Sequence, residues 1–555
     1  MSARKIGLLI LLLGFGAAIE TAWHVRGDVR IGPEGCRVMG GRFYGPSYFF
    51  EQTAEPALAK GEAPRLEVKN AFGGVSVTAG APGVVKVKLR KVVFLPTEEK
   101  ARAFAERVLL RLSGDGTRVR VGTNRDELGR GQEVGFETHL EIEAPAETAV
   151  EIRNEHGRVD LDGVASADVV SSFEGVAIER IAGAVKLEAG HGDVRVSGIG
   201  AGLDLTARHG NVEVSDVAGA SKLDVEHGDL SARKTGALDV AIQYGGFEAE
   251  GVAGDLVVRG GHAGVRASDV TGRAEVETSY EGIRLARVGG DVRATAQHGE
   301  VTAEDVAGGL LAETTHAGVS LHRVDGPVQV VVDHGGVEAS GLAKGASVRT
   351  SGGDVSLDGF AGPVGVEVER GSVRLAPRAA LAAEVTVSAT NGEVRLEVPD
   401  GSRFDLEAES RRGELSAEVA GLTTSETGGE PGRAHRIAGK LGGGGVAVRL
   451  RADGDVTLEA RPAGTIADRP VAKPATAAPA EAPPLPAAAL SKAATPKPPA
   501  APAEAAPQPP APPQKPERPE EPCASAERRL EVIAGGPVAA RPRVFSLLPS
   551  ASRFR

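Results

Sequence analysis

Histidine is scarce in this chain, with 12 in 555 residues, yet eight of the 12 stand at one point of a repeated phrase. "EAGHGDVRVSG", "TARHGNVEVSD" and "DVEHGDLSARK" each place a His three residues before an alternating apolar run. The column reads His156, Phe173, His191, His209, His227, Tyr244, His262, Tyr280, His298, His316, His334, then Gly352 and Arg370. Imidazoles at such spacing have three uses. They stack as a ladder of flat side chains whose nitrogens bond the backbone at a turn. Neighbouring imidazoles capture a metal. Protonation near pH 6 places like charges side by side and makes the ladder pH-responsive. Phe and Tyr in the same column favour the ladder, because Phe cannot ligate a metal. The eight histidines are therefore read as parts of a structural ring ladder, with ligand or pH chemistry as its alternatives. In "LDVEH" Val225 faces inward, so strand parity sends His227, two residues on, inward as well.

Something must hold those rings in line. Aligned by the first apolar residue after the ring, thirteen rows begin at Val159, Val176, Val194, Val212, Leu230, Phe247, Val265, Ile283, Val301, Val319, Val337, Val355 and Val373. Ten of the twelve steps are 18 residues and two are 17. Apolar or small residues recur two places after each row start and apolar residues five places after most of them, as at Val214 and Val217. Seven places after it Gly is common, at Gly183, Gly219, Gly254, Gly272, Gly290, Gly308, Gly326 and Gly362. A Gly there is expected to supply positive φ at a corner. A further strand follows, so each row is two or three very short strands separated by corners.

No such row buries its apolar side alone, whereas stacked rows form a continuous core. The pattern predicts an all-β chain built on a right-handed parallel β-helix of about 18 residues per coil. Thirteen rows would make a rod about 60 Å long at about 4.8 Å per row. A left-handed helix fits poorly, because its apolar residues recur every six. Abundant glycine (75) and few aromatics (3%) suit a narrow bore with tight corners.

Composition excludes several functions. Net charge is −11 with Lys and Arg spread evenly, so no basic stripe offers itself to nucleic acid. Cys36 and Cys523, the two cysteines, lie at opposite ends and exclude a disulfide framework or a cysteine zinc site. No nucleophile elbow, phosphate loop or metal-ligand string occurs, and charged residues decorate every row alike. The chain is read as non-enzymatic, with no cofactor and no catalytic residue. A polysaccharide-active enzyme on the same fold is the alternative, and it needs a cleft lined by Asp, Glu, Arg or Lys from adjacent rows.

The flanks complete the plan. Residues 1–23, with Arg4 and Lys5 before an apolar run, read as a signal peptide or signal-anchor helix, and 24–65 as an exported leader. Residues 66–155 form a β-rich cap with one helix in "PTEEKARAFAERVLLRL", capped by Thr97. Rows fill 156–376, and a β region fills 377–460 with Gly442–Gly445 as a loop. Residues 461–525 are a Pro/Ala-rich disordered spacer, and 526–555 a tail.

The strings "LEVKNAFGGVSV", "HGDVRVSG", "ATNGEVRLEVPDGSRFDLEAES" and "VRLRADGDVTLEA" resemble the bacterial DUF4097 family, β-strand-repeat proteins described as candidate adhesins. The resemblance covers residues 66–460, about 70% of the chain. It implies an exported or membrane-anchored β-helix and no catalytic residues. The expected location is the bacterial cell envelope, whether membrane-anchored, periplasmic or at the surface. The expected partner is an envelope protein or a glycan, with the membrane added if the N-terminal segment is retained. A periplasmic scaffold or signalling accessory is the runner-up.

Overall fold

The computed structural model describes residues 46–56, 64–115, 117–128, 134–427 and 434–461, and the short strands Arg37–Met39 and Arg42–Tyr44. The apolar run within 1–23, the tail 526–555 and all but Arg461 of 461–525 lie outside the described residues. No helix among the described residues is long and apolar enough to cross a membrane.

The rows are the coils of a β-solenoid. Most coils have two strands, which merge into one in Leu238–Val252 and in Leu256–Val270. One ends at the ring position, as Leu203–His209 does, and the other starts at the row start, as Val212–Val217 does. Each pairs in parallel and in register with its equivalents one coil before and after: Leu205 stands between Leu187 and Leu223, and Val214 between Val196 and Ala232. The rod therefore has two long parallel sheets. Their inward residues interdigitate as one core running from Leu66 to Leu458, built almost wholly of Val, Leu, Ile and Ala. Backbone groups are satisfied between coils, which explains why strands of four to eight residues hold.

Both faces of the bore can be apolar only if the three-residue step from the second to the third inward column is resolved, since strand parity would turn one of them outward. It is resolved by a left-handed residue four places after the row start. Arg180, Asp216, Lys234, Asp269, Arg287, Asp305 and Arg323 all have φ of 51–57°, and Gly163, Gly198, Gly251, Gly341 and Gly359 hold the same place in other coils. The glycines seven places after the row start serve a different purpose from the one expected. Of the eight, Gly362 alone has positive φ, at 84°. In the others a Cβ would point along the rod into the previous coil: it would lie 2.7 Å from Gly272 at Gly290, 2.5 Å from Gly290 at Gly308 and 2.2 Å from Gly308 at Gly326. Coil spacing, not backbone conformation, selects glycine there.

The flanks are coils too. Arg65–Phe72 and Val75–Gly80 already form a row, paired with Ala149–His156 and Val159–Asp162. Arg118–Thr123 and Gly135–Pro145 form another on its far side. Ser47–Ala54, Lys86–Phe94 and Gly135–Pro145 make an antiparallel sheet under the helix Glu98–Ala105. Ser47–Ala54 thus joins the cap although it falls within the expected leader. Thr97 caps the helix as its sequence predicts, its hydroxyl accepting from the Lys100 N–H at 3.5 Å. The helix is shorter than its string: Leu110–Gly114 alternates instead and pairs with Arg118–Thr123.

Candidate functional site

The structure brings all eight histidines of the repeat into one line. With Phe72, Phe173, Tyr244 and Tyr280 they form twelve stacked rings, one per coil, with centroids 4.2–5.7 Å apart and planes within 22° of parallel. Phe72 extends the column by one ring. Its signal lay in "NAFGGVSV", where Phe72 precedes Val75 by the same three residues.

The stack stands on the outside. His227 is exposed, and Phe173, Tyr244 and Tyr280 are 42–52% exposed, against the inward lean that parity predicts. The register explains the difference. Val225 pairs with Ile242 and His227 with Tyr244, but the residue between them drops out of the ladder. The chain bends there, so Glu226 and His227 both face out. Just inside the bend, short polar side chains tie the corner down. Asn70 donates to the Gly73 and Thr138 carbonyls at 2.7 and 3.0 Å, and Thr278 donates to the Ala263 carbonyl at 2.9 Å. Just after the rings Asp193, Asn211 and Asp229 each accept the backbone N–H of the next coil, at 2.8–3.1 Å.

This geometry bears on each use of the imidazoles. Parallel rings hold their in-plane nitrogens side by side rather than aimed at one point. Among the described residues no group of three His, Cys, Asp or Glu is placed to hold a metal. His298 approaches the Ser279 carbonyl with Nδ1 at 3.2 Å, the backbone contact expected of a ladder. Two uninterrupted runs, His191–His209–His227 and His298–His316–His334, keep imidazoles face to face. A His227→Phe substitution preserves the flat shape between His209 and Tyr244. It is expected to change folding stability, followed by thermal unfolding, by no more than a surface change does, about 0.5 kcal/mol. A collapse of folding would show that the imidazole nitrogens matter more than the plane.

Two histidines outside the ladder escaped the sequence reading, because no row marks them. His139 accepts the Gly74 N–H on Nδ1 at 3.0 Å, so its proton sits on Nε2, 3.0 Å from the largely buried Glu137 carboxylate. The pair pins the outer coil to the corner at Gly74. His322 meets Ser340 in the next coil.

A second column carries charge. Asp269, Arg287, Asp305 and Arg323 alternate down the left-handed positions, Arg287 gripping Asp269 at 2.6 and 2.7 Å and Arg323 gripping Asp305 with a further bond to Glu304 at 2.6 Å. Hydrogen bonds from Arg323 hold the Asp305 carboxyl below the usual aspartate range, against the opposing effect of partial burial, and the Arg323 charge adds a smaller push in the same direction. A lowered folded-state pKa means the pair stabilises above the unfolded value of about 3.9 and its contribution fades as pH falls through the folded value. With both side chains a little over a third exposed the effect is small, below about 1 kcal/mol. Carboxyl NMR titration should find Asp305 titrating below an ordinary aspartate, and Arg323→Ala should return it toward the ordinary value. An Asp305 that titrates normally beside an intact Arg323 would show that the pair is not formed in solution.

The third feature is a groove of about 800 Å³ along the corner opposite the rings. Its charged lining comes from Arg65, Glu151, Asp168, Lys186, Asp204, Lys222 and Asp239, one per coil. From Asp168 onward the signs alternate between directly paired residues, so each charge has a cross-strand counterpart. Lys186 reaches Glu188 at 3.0 Å on its own strand.

Two sheets in register, a ring at one corner and glycine at the other define the repeat, and comparison with known proteins finds a family model that matches part of it. Residues 275–459 match the Toastrack DUF4097 family. The Toastrack match spans the coils from Ala274–Thr278 to the last strand, Val456–Arg461. A comparison with curated proteins finds no match. A solved structure described as a candidate cell adhesion protein from Clostridium sporogenes aligns with 75% of this chain and 100% of its own, at 7% identity and a TM-score of 0.16.

Proposed function

We propose that this Toastrack-matching chain is a non-enzymatic scaffold of the bacterial cell envelope, exported through its N-terminal segment, whose solenoid presents a rigid, periodic surface to a protein or glycan. The observation that supports this reading is the unbroken ring column. Twelve coils repeat one outward chemistry at one spacing, which suits a partner that is itself extended or repetitive. Added protease on intact cells, with a periplasmic protein as leakage control, tests the location. Cleavage of the solenoid in intact cells supports surface adhesion. Protection until the envelope is opened moves the reading to a periplasmic, membrane-anchored scaffold or signalling accessory.

The groove favours a second reading, an enzyme acting on envelope polysaccharide. Glu151 and Asp168 are directly paired on adjacent coils. Their backbones stand about 4.8 Å apart, which lets two carboxylates approach each other as a retaining glycosidase requires. New reducing ends released from envelope glycan by the purified chain, and lost in Asp168→Asn, would replace the scaffold reading with this one.

A further inference from the structure

The two ends of the rod share a topology that the repeat itself does not require. In a simple solenoid the first residues form the first coil and the last residues form the last. Here neither does. Arg65–Phe72 and Val75–Gly80 come first in the chain among the strands of the two long sheets. They lie between the coil of Arg118–Thr123 and Gly135–Pro145 on one side and the coil of Ala149–His156 and Val159–Asp162 on the other. At the other end Val446–Ala452 and Val456–Arg461 are last in the chain among the described residues. They lie between the coil of Val385–Asn391 and Val394–Pro399 and the outer coil of Phe404–Ser410 and Leu415–Glu418. In both places the chain makes an outer coil with an internal excursion and slides its terminal strands underneath.

The geometry points to a mechanical lock. An end coil of an open solenoid is held by a ladder on one side, and tension on the chain peels it one hydrogen-bonded pair at a time. Tension entering at residue 64 or 461 meets strands laddered on both sides, with inward residues (Leu66, Val68, Val75 and Val77; Val448, Leu450, Val456 and Leu458) almost wholly buried. Both ladders must break before the strand leaves. The outer coils are fastened in turn, by Lys86–Phe94 against Gly135–Pro145 at one end and by His435–Leu441 against Phe404–Ser410 at the other. The lock is independent of what the rod binds. It fits any role in which the termini bear load, and it also keeps the first and last strands from fraying.

Single-molecule force spectroscopy on the full chain tests this. The C-terminal handle loads residue 461, and the N-terminal handle loads residue 64 once Ser47–Ala54, held by a single ladder to Lys86–Phe94, has peeled away. A second variant, with Cys36 and Cys523 changed to Ser, takes its handles at Ser113→Cys and Thr424→Cys and loads the outer excursions. After Ser47–Ala54 has gone, terminal loading is expected to need roughly twice the force for the next rupture, since two parallel ladders yield in place of one. Equal or lower force under terminal loading would overturn the lock. Native-state hydrogen exchange on the unmodified chain probes the same lock without substitutions. Amides of 65–80 and 446–461 should be as protected as those of Val212–Val217 and more than those of Arg118–Thr123 and Leu415–Glu418. Protection that falls steadily toward the first and last strands in chain order would also overturn it.

Discussion

A Val301→Asp chain is expected to lose roughly 3–5 kcal/mol of folding free energy, while Thr302→Asp, one residue along, leaves the fold intact. Val301 is 0% exposed and stands between Ile283 and Val319 in the bore. The core around it is built almost wholly of Val, Leu, Ile and Ala, so a carboxylate there meets no cation. It would be driven to its neutral form and still leave an unbonded carboxyl inside. Thr302 points the other way. It pairs with Arg284 and Ser320, so an aspartate gains a cationic neighbour in water. Urea denaturation of the two variants measures the contrast. Equal midpoints would mean that the faces of this strand are assigned the wrong way round.

The solenoid was legible because every coil solves one problem under one constraint. A coil that gained or lost residues would break two ladders, so period and apolar offsets survive from Val159 to Val373 and can be read by counting. What counting does not give is the order in which coils stack. Leu66–Val68 and Val119–Val121 show the same alternation, and nothing in either string says that the later one lies outside the earlier. That is decided by which excursion is long enough to fold over, a property of the tertiary structure.

The ring column was legible in place and misread in direction. Parity counts residues, and it fails where a residue leaves the ladder, as Glu226 does between Val225 and His227. The left-handed column hid for a similar reason. Arg180 and Arg323 are poor markers of positive φ. The clue was the odd step between apolar columns, which an unbroken strand cannot make. At Gly290, Gly308 and Gly326 the residue was noticed and its cause was not, because a glycine selected for φ and one selected for close approach look alike in a sequence.

That last distinction yields the sharpest contrast between two glycines 15 residues apart. Gly326→Ala is expected to cost about 3 kcal/mol or more, and Gly341→Ala about 1 kcal/mol. A Cβ on Gly326 would lie 2.2 Å from the Gly308 carbonyl oxygen and 2.3 Å from its carbon. Those atoms are backbone, and the Gly308 oxygen also accepts the Gly326 N–H at 3.0 Å. Relief requires the two coils to move apart, which strains the ladders on both sheets at once. Gly341 has a φ of 69°, but a Cβ there meets nothing nearer than 3.5 Å, so its substitution carries only the left-handed penalty. Seven coils bear that penalty already with Asp, Lys or Arg in the same column. Gly341→Asp should recover most of it, because the new carboxylate would sit one coil beyond Arg323 and lengthen the Asp305–Arg323 ladder. Thermal unfolding of the three variants should rank Gly341→Asp above Gly341→Ala and both above Gly326→Ala. If the two alanine variants melt together, conformation and not coil spacing governs both corners, and the packing account of the glycine column fails.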